Sequence, residues 1–207
     1  MRHVDLAGEQ EQAADMLVDW ARYRGGARGK AGASGRPDDR VRALRGLAGT
    51  GKTVTAAEIA CRLAALGTRV AVVAPTGKAA HVLRTKGITA ATTIHATFYQ
   101  LIEDGASSPT FELRSGVRGD PDVVICDEAS MATSDHVGDL LSRVPKVLLV
   151  GDYAQLQSVD AGGAFSMLAH DRNDTVELID IHRFRNQWEK LASLDLRHGH
   201  TSVIDTY

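Results

Sequence analysis

The chain of 207 residues has almost no net charge, with 24 Lys and Arg against 26 Asp and Glu and a formal balance of -2. That balance excludes a chain-wide basic footprint for nucleic acid, so any such contact has to be local. Cysteine is scarce too. Cys61 and Cys126 lie in apolar stretches without metal-ligand spacing, which favours reduced thiols packed as small hydrophobes over a metal site or a catalytic thiol. No apolar run approaches the length needed to span a bilayer, and the polar start MRHVDLAGEQEQ lacks the apolar core of a secretion signal. These absences predict a soluble cytoplasmic protein with no membrane partner. The length suits one large domain, or a domain with an appendage, around a substantial core.

What is present is a regular alternation. Leu6 to about Arg22 reads as an amphipathic helix, with Leu6, Ala13, Met16, Leu17 and Trp20 at near-helical spacing. Arg24–Arg40 is Gly-rich without an apolar anchor and reads as a flexible loop. Beyond it, the spacing predicts strands at Val41–Leu47, Val70–Ala74, Val123–Cys126, Val147–Val150 and Val176–Ile179. The first four are continuous apolar runs, as expected for strands covered on both faces of a parallel sheet. Helices are predicted at Thr53–Leu66, Lys78–Lys86, Thr93–Ile102, Ser134–Ser142 and Asn186–Arg197, and Glu103–Asp120 reads as an excursion between core elements. The pattern is that of an α/β domain, a mostly parallel, doubly wound sheet with helices on both faces. Its ligands belong beyond the carboxyl ends of the strands.

Four motifs follow strand ends. GLAGTGKT at Gly46–Thr53 fits the phosphate-binding pattern G-x-x-x-x-G-K-[ST], which makes a nucleoside triphosphate the first ligand to consider. Gly49, Thr50 and Gly51 would wrap backbone N–H groups around phosphate oxygens, Lys52 would reach the β- and γ-phosphates, and the Thr53 hydroxyl would hold Mg²⁺. Asp127-Glu128 ends another strand. There Asp127 suits Mg²⁺, directly or through its water, and Glu128 suits orienting or deprotonating the attacking water, although the pair could instead cap a helix. Gly151-Asp152 leads to Gln155, whose neutral amide suits a γ-phosphate sensor on a glycine-led turn. At Pro75–Ala80 a helix begins with Thr76 and Lys78, and Thr93-Ile94-His95 opens another. Both starts suit phosphate contact or ordinary helix initiation.

Taken in order, GLAGTGKT, APTGKAA, TIHATF, DEAS and GDYAQLQSV resemble the first RecA-like motor domain of a superfamily 1 DNA helicase. The likeness is to RecD-like helicases and the helicase part of conjugative relaxases, and it runs from about Leu6 to the C-terminus. It implies a RecA-like P-loop NTPase fold that uses ATP and Mg²⁺ on single-stranded DNA. Gln10 would read adenine, Thr76, Lys78, Thr93 and His95 would lie along the DNA path, and Arg183 would approach the γ-phosphate. Further domains or subunits of a recombination, repair or conjugation machine are implied as partners, with 5′ to 3′ movement. The expected layout is a helix at 1–23, a loop at 24–40, the motor domain at 41–184 and a helical segment at 185–207. Nothing after Arg183 resembles a second motor domain, which points to a fragment or truncated product. The alternative function is an ATP- and DNA-binding module without independent unwinding.

Overall fold

Val123, Val124, Ile125 and Cys126 are all buried, as are Val147, Leu148, Leu149 and Val150. Side chains of a strand alternate between faces, so two such runs need cover above and below the sheet. The computed structural model, which describes residues 6–23, 39–102, 110–153, 165–167 and 175–180, provides it. On one face, Leu44, Val72, Val123, Ile125, Leu148 and Val150 pack against α1 (Gly8–Arg22), α2 (Lys52–Ala65) and α3 (Gly77–Thr85). On the other, Val41, Ala43, Val73, Val124, Cys126, Val147 and Leu149 pack against α4 (Ile94–Phe98), α5 (Ser134–Arg143) and Phe165. Each fully buried Val, Leu or Ile contributes roughly 1.5–3 kcal/mol, which is why these runs set the fold.

The main sheet comprises β1 (Val41–Gly46), β2 (Val70–Ala74), β3 (Thr92–Thr93), β6 (Val123–Cys126), β7 (Lys146–Gly151) and β8 (Thr175–Leu178). Its order is β3-β2-β6-β7-β1-β8, and every pairing is parallel. The expected doubly wound α/β fold is therefore present. All the predicted strands form, with ends shifted by a residue at most.

One expected helix is only half helical. Instead of running from Thr93 to Ile102, α4 stops at Phe98, and β4 (Tyr99–Ile102) pairs antiparallel with β5 (Thr110–Leu113). The Arg114 backbone N–H donates to the Phe98 carbonyl (2.8 Å) and its Nε to the Tyr99 carbonyl (2.9 Å). Those bonds divert the chain, while Tyr99 and Leu113, directly opposite each other, pack on the second face of the core. Part of the expected excursion at Glu103–Asp120 is thus a strand. Residues 24–38 of the loop expected at 24–40, and the helix expected at Asn186–Arg197, lie outside the described residues.

Helix α1 is fixed to α2 by one arginine. Arg62 donates to Glu11 (2.7 and 2.8 Å), Asp15 (2.8 Å) and the buried Glu58 (2.8 Å). At its other end, Trp20 Nε1 donates to the Asp39 carbonyl (2.9 Å), and the Lys146 ammonium sits 4.8 Å from the ring centroid. Between these two anchors α1 lies on the first face of the core, and Gln10 in its first turn reaches Thr50, beyond the end of β1. Among the described residues no helix is long and apolar enough to cross a membrane.

Candidate nucleotide site and the neighbouring strand ends

The loop between β1 and α2 depends on two glycines in left-handed conformations, Gly49 (φ 94°) and Gly51 (φ 86°). A side chain at either would be strained. Thr50 folds back, its hydroxyl donating to the Leu47 carbonyl (2.9 Å). Lys52 Nζ donates to the carbonyls of Gly46 (2.7 Å) and Leu47 (3.0 Å), so the ammonium lies across the loop it belongs to. The first N–H groups of α2 have no intrahelical acceptor, and a helix N-terminus carries partial positive charge. Loop, lysine and helix start together form a cradle for an anion.

Gln10 reaches this loop from α1. Its Nε2 donates to the Thr50 carbonyl (3.0 Å), and its Oε1 accepts from the Ala7 backbone N–H (3.2 Å). Those two bonds fix which way the amide points. One N–H and one lone pair of the amide are not used by these two bonds. A Cβ on Gly51 would lie 2.2 Å from Gln10 Nε2, so the glycine is needed here for space as well as for φ.

Asp127 and Glu128 arrive at the carboxyl end of β6, two strands from β1. Asp127 is 4% exposed, with the Thr53 side chain near its carboxyl. Burial pushes its carboxyl above the ordinary range, against the pull of Thr53, the Glu128 N–H, Lys86 and Lys52. Glu128 is raised as well, by burial first and then by the Asp127 charge. Its backbone is left-handed at φ 54°, which costs on the order of 1–3 kcal/mol. The following 3₁₀ turn, Ala129–Met131, has no side-chain cap, so the acids are not performing the capping role. Asp152, at the end of the intervening β7, is also buried. Among the described residues no three acidic, His or Cys side chains cluster as a metal cage, but a hydroxyl near a buried carboxylate supplies the oxygen donors that a hard divalent cation takes from a site it shares with phosphates, so Mg²⁺ fits Thr53 and Asp127.

Gly151 is where a reading from the chain alone needs amendment. It is the last residue of β7 rather than the lead of a turn, and a Cβ there would lie 2.8 Å from the Phe165 ring. Its requirement is close packing. Gln155 and Arg183 lie outside the described residues.

A second group of expected site residues gathers at β2 and β3, whose ends are paired through Ala74 and Thr93. With three strand spacings between β2 and β1, this edge is roughly 14 Å from the phosphate loop. Thr76 caps α3, accepting from the Ala79 N–H (3.2 Å), and Thr93 caps α4, accepting from Ala96 (3.1 Å). Each hydroxyl keeps its proton to donate. Lys78 is exposed. His95 is also exposed and stacks on Tyr99 (centroids 4.9 Å), with the edges of Phe111 (5.7 Å) and His136 (5.0 Å) against it. Tyr99 donates to Asp139, and burial first and then this bond raise its hydroxyl well above the ordinary value. His136 Nδ1 accepts from the Thr133 N–H (3.4 Å), and burial, followed by the His95 charge, lowers its pKa. Tyr99, Phe111 and His136 were not foreseeable as His95's neighbours, because the hairpin and α5 bring them together from three segments.

The chain matches the AAA domain family over residues 30–207. It is 36% identical over 209 residues to the conjugal transfer protein TraA of Agrobacterium fabrum, covering 96% of this chain and 16% of TraA. It is 34% identical over 163 residues to the ATP-dependent RecD2 DNA helicase of Deinococcus radiodurans, covering 77% of this chain and 21% of RecD2. The chain thus spans less than a quarter of either relative. In fold it is similar to the Pif1 helicase of Candida albicans, with a TM-score of 0.60 and 20% identity over 94% of this chain and 44% of Pif1.

Proposed function

The chain belongs to the AAA domain family, in its superfamily 1 RecD-like helicase branch, and from that premise we propose that it is an ATP-hydrolysing motor domain driven along single-stranded DNA. The observation that carries the reading is the meeting of Thr53, on the phosphate loop, with the buried Asp127 at the end of β6, where the charge of Lys52 also reaches.

In this reading the triphosphate lies on the Gly46–Thr53 loop, with Gln10 meeting adenine through its spare amide functions. Lys52 exchanges the Gly46 and Leu47 carbonyls for phosphate oxygens. Thr53 and Asp127 hold Mg²⁺, which supplies charge neutralisation at the phosphates when bound. Glu128, held above the ordinary carboxylate range by burial and by Asp127, orients the attacking water and takes its proton. Gln155 senses the γ-phosphate, and Arg183 neutralises charge in the transition state. Thr76, Lys78, Thr93 and His95 contact the DNA backbone along the β2–β3 edge. The motor unit runs over 41–184, with 1–23 carrying the base contact.

Phosphate release with and without single-stranded DNA is the test. Release should rise with DNA in the unsubstituted protein and vanish in Lys52→Ala. ATP and DNA binding without release in either would instead support a binding module lacking independent unwinding.

A further inference from the structure

The turn that carries Gln10 begins with little to hold it. Ala7, the residue before α1, has no side-chain oxygen to cap the helix, and the flexible Gly8 follows it. Leu6 packs on the core, but apolar packing is non-directional and does not fix how the turn is rotated. Glu9 supplies direction. Its Oε1 and Oε2 accept from the backbone N–H groups of Ile179 and Asp180, each at 2.9 Å, a charge-assisted pair of bonds on one carboxylate. Consecutive residues leave an α-helix about 100° apart. Glu9 and Gln10 therefore hold the turn from two sides, one on the segment after β8 and the other on the Thr50 carbonyl of the phosphate loop.

The far end of the Glu9 bonds is firm. Ile179 and Asp180 directly follow Leu178, which pairs with Gly46 in the sheet, and a Cβ on Gly46 would lie 2.7 Å from the Leu178 carbonyl oxygen. Glu9 thus fastens the Gln10 turn to the strand that runs against the start of the phosphate loop. The body of α1 is held elsewhere. Arg62 bonds Glu11 and Asp15, Trp20 bonds the Asp39 carbonyl, and Ala13, Ala14, Leu17 and Val18 are buried. Loss of the Glu9 bonds should loosen the turn without undocking the helix.

We infer that Glu9 is a positioning residue for base selection: by fastening the first turn of α1 to the end of β8, its carboxylate holds the Gln10 carboxamide in one orientation and so sets a preference for adenine over guanine nucleotides. Adenine presents a donor at N6 and an acceptor at N7, whereas guanine presents acceptors at both O6 and N7. A carboxamide fixed in place meets the first pair with one acceptor and one donor and mismatches the second; one free to shift discriminates less. The inference rests on the adenine role proposed for Gln10, through which Glu9 acts without touching the nucleotide.

The test measures Kd for ATP and for GTP on the complete protein by competition against a fluorescent nucleotide, a readout that does not depend on hydrolysis. Glu9→Gln keeps the size of the side chain but presents one acceptor and one donor to two N–H groups. The preference for ATP over GTP should fall by about two- to tenfold, the range for one hydrogen bond, through weaker ATP binding. Kd for GTP should stay within about twofold and Tm within about 2 °C, since the dock of α1 is untouched. Gln10→Ala should lower the preference at least as far, and adding Glu9→Gln to it should cause no further fall. An unchanged preference in Glu9→Gln, or a full additional fall on top of Gln10→Ala, overturns the inference while leaving the motor reading intact. If Glu9→Gln lowers Tm further than this, Asp180→Pro, which deletes one of the two donors, has to reproduce the fall in preference; failure to do so also overturns it. Equal Kd values for ATP and GTP in the unsubstituted protein, or a Gln10→Ala protein that keeps the full preference, overturn the adenine role of Gln10 itself, and the inference falls with it.

Discussion

At the ends of β6 and β7 Asp127 and Asp152 are buried, with Lys52 and Glu128 half-buried near them, whereas at the ends of β2 and β3 Lys78 and His95 are exposed and the half-buried Thr76 and Thr93 are occupied with helix caps. Asp127 and Asp152 are nearly inaccessible, Glu128 holds a strained backbone, and Lys52 lies on its own loop. Thr76 and Thr93 each satisfy one helix N–H, and Lys78 and His95 face outward. Concentrated, desolvated charge costs stability and is worth keeping where a reaction or a cation relieves it. Caps and exposed cations cost little and suit a surface that grips and releases a long ligand. The contrast separates a proposed chemical end of the sheet from a proposed gripping end, and substitutions at each should fail differently.

The largest difference is expected from Glu128→Gln, which should lower hydrolysis by about a hundredfold to ten-thousandfold, the range for losing a general base. ATP binding, followed by titration with a fluorescent nucleotide, should persist. Undiminished turnover would remove Glu128 from the chemistry.

Asp127→Asn should reveal the strain itself. A carboxyl raised by burial is held protonated more tightly in the folded state than in the unfolded one. The ligand-free protein therefore has its full stability below the ordinary carboxylate range and loses part of it as pH rises through the raised value. The asparagine variant lacks that loss, so urea unfolding at pH 5 and pH 8 should show its advantage over the parent growing with pH. An equal gap at both pH values would mean that the buried charge is not the cause.

At the gripping end, Lys78→Ala should weaken single-stranded DNA binding alike across sequences and reduce the salt slope by about 1. ATP binding without DNA should not change. A loss confined to particular sequences would count against a backbone contact.

Smallest of all, Thr76→Ala should cost about 1 kcal/mol of stability through the lost cap, visible as a lower Tm. Thr76→Ser, which keeps the hydroxyl, should restore both Tm and DNA affinity. If Thr76→Ala alters affinity without altering Tm, the cap is not what the threonine contributes.

How far the chain could be read in advance follows the same division. The strands were legible because residues such as Val123–Cys126 have to be apolar at every position when both faces are covered. The phosphate loop was legible because Gly49 and Gly51 meet a backbone requirement that few residues satisfy. TIHATFYQLI was misread in its second half, since its apolar spacing suits helix and strand alike and the deciding partners, Phe111, Leu113 and Arg114, lie beyond it. Gln10 came only from resemblance, and Glu9 not at all. A carboxylate on an exposed helical turn carries no local mark of amides 170 residues away.

Lys52 cross-links the loop that carries it: by holding the carbonyls of Gly46 and Leu47, its ammonium ties the last residue of β1 to the start of α2 and sets the shape of the loop from within. Under the motor reading proposed above, taking up a phosphate would exchange those neutral acceptors for anionic ones with little new ordering of the backbone. The lysine would then act as a comparator, leaving its carbonyls only for a more strongly charged acceptor.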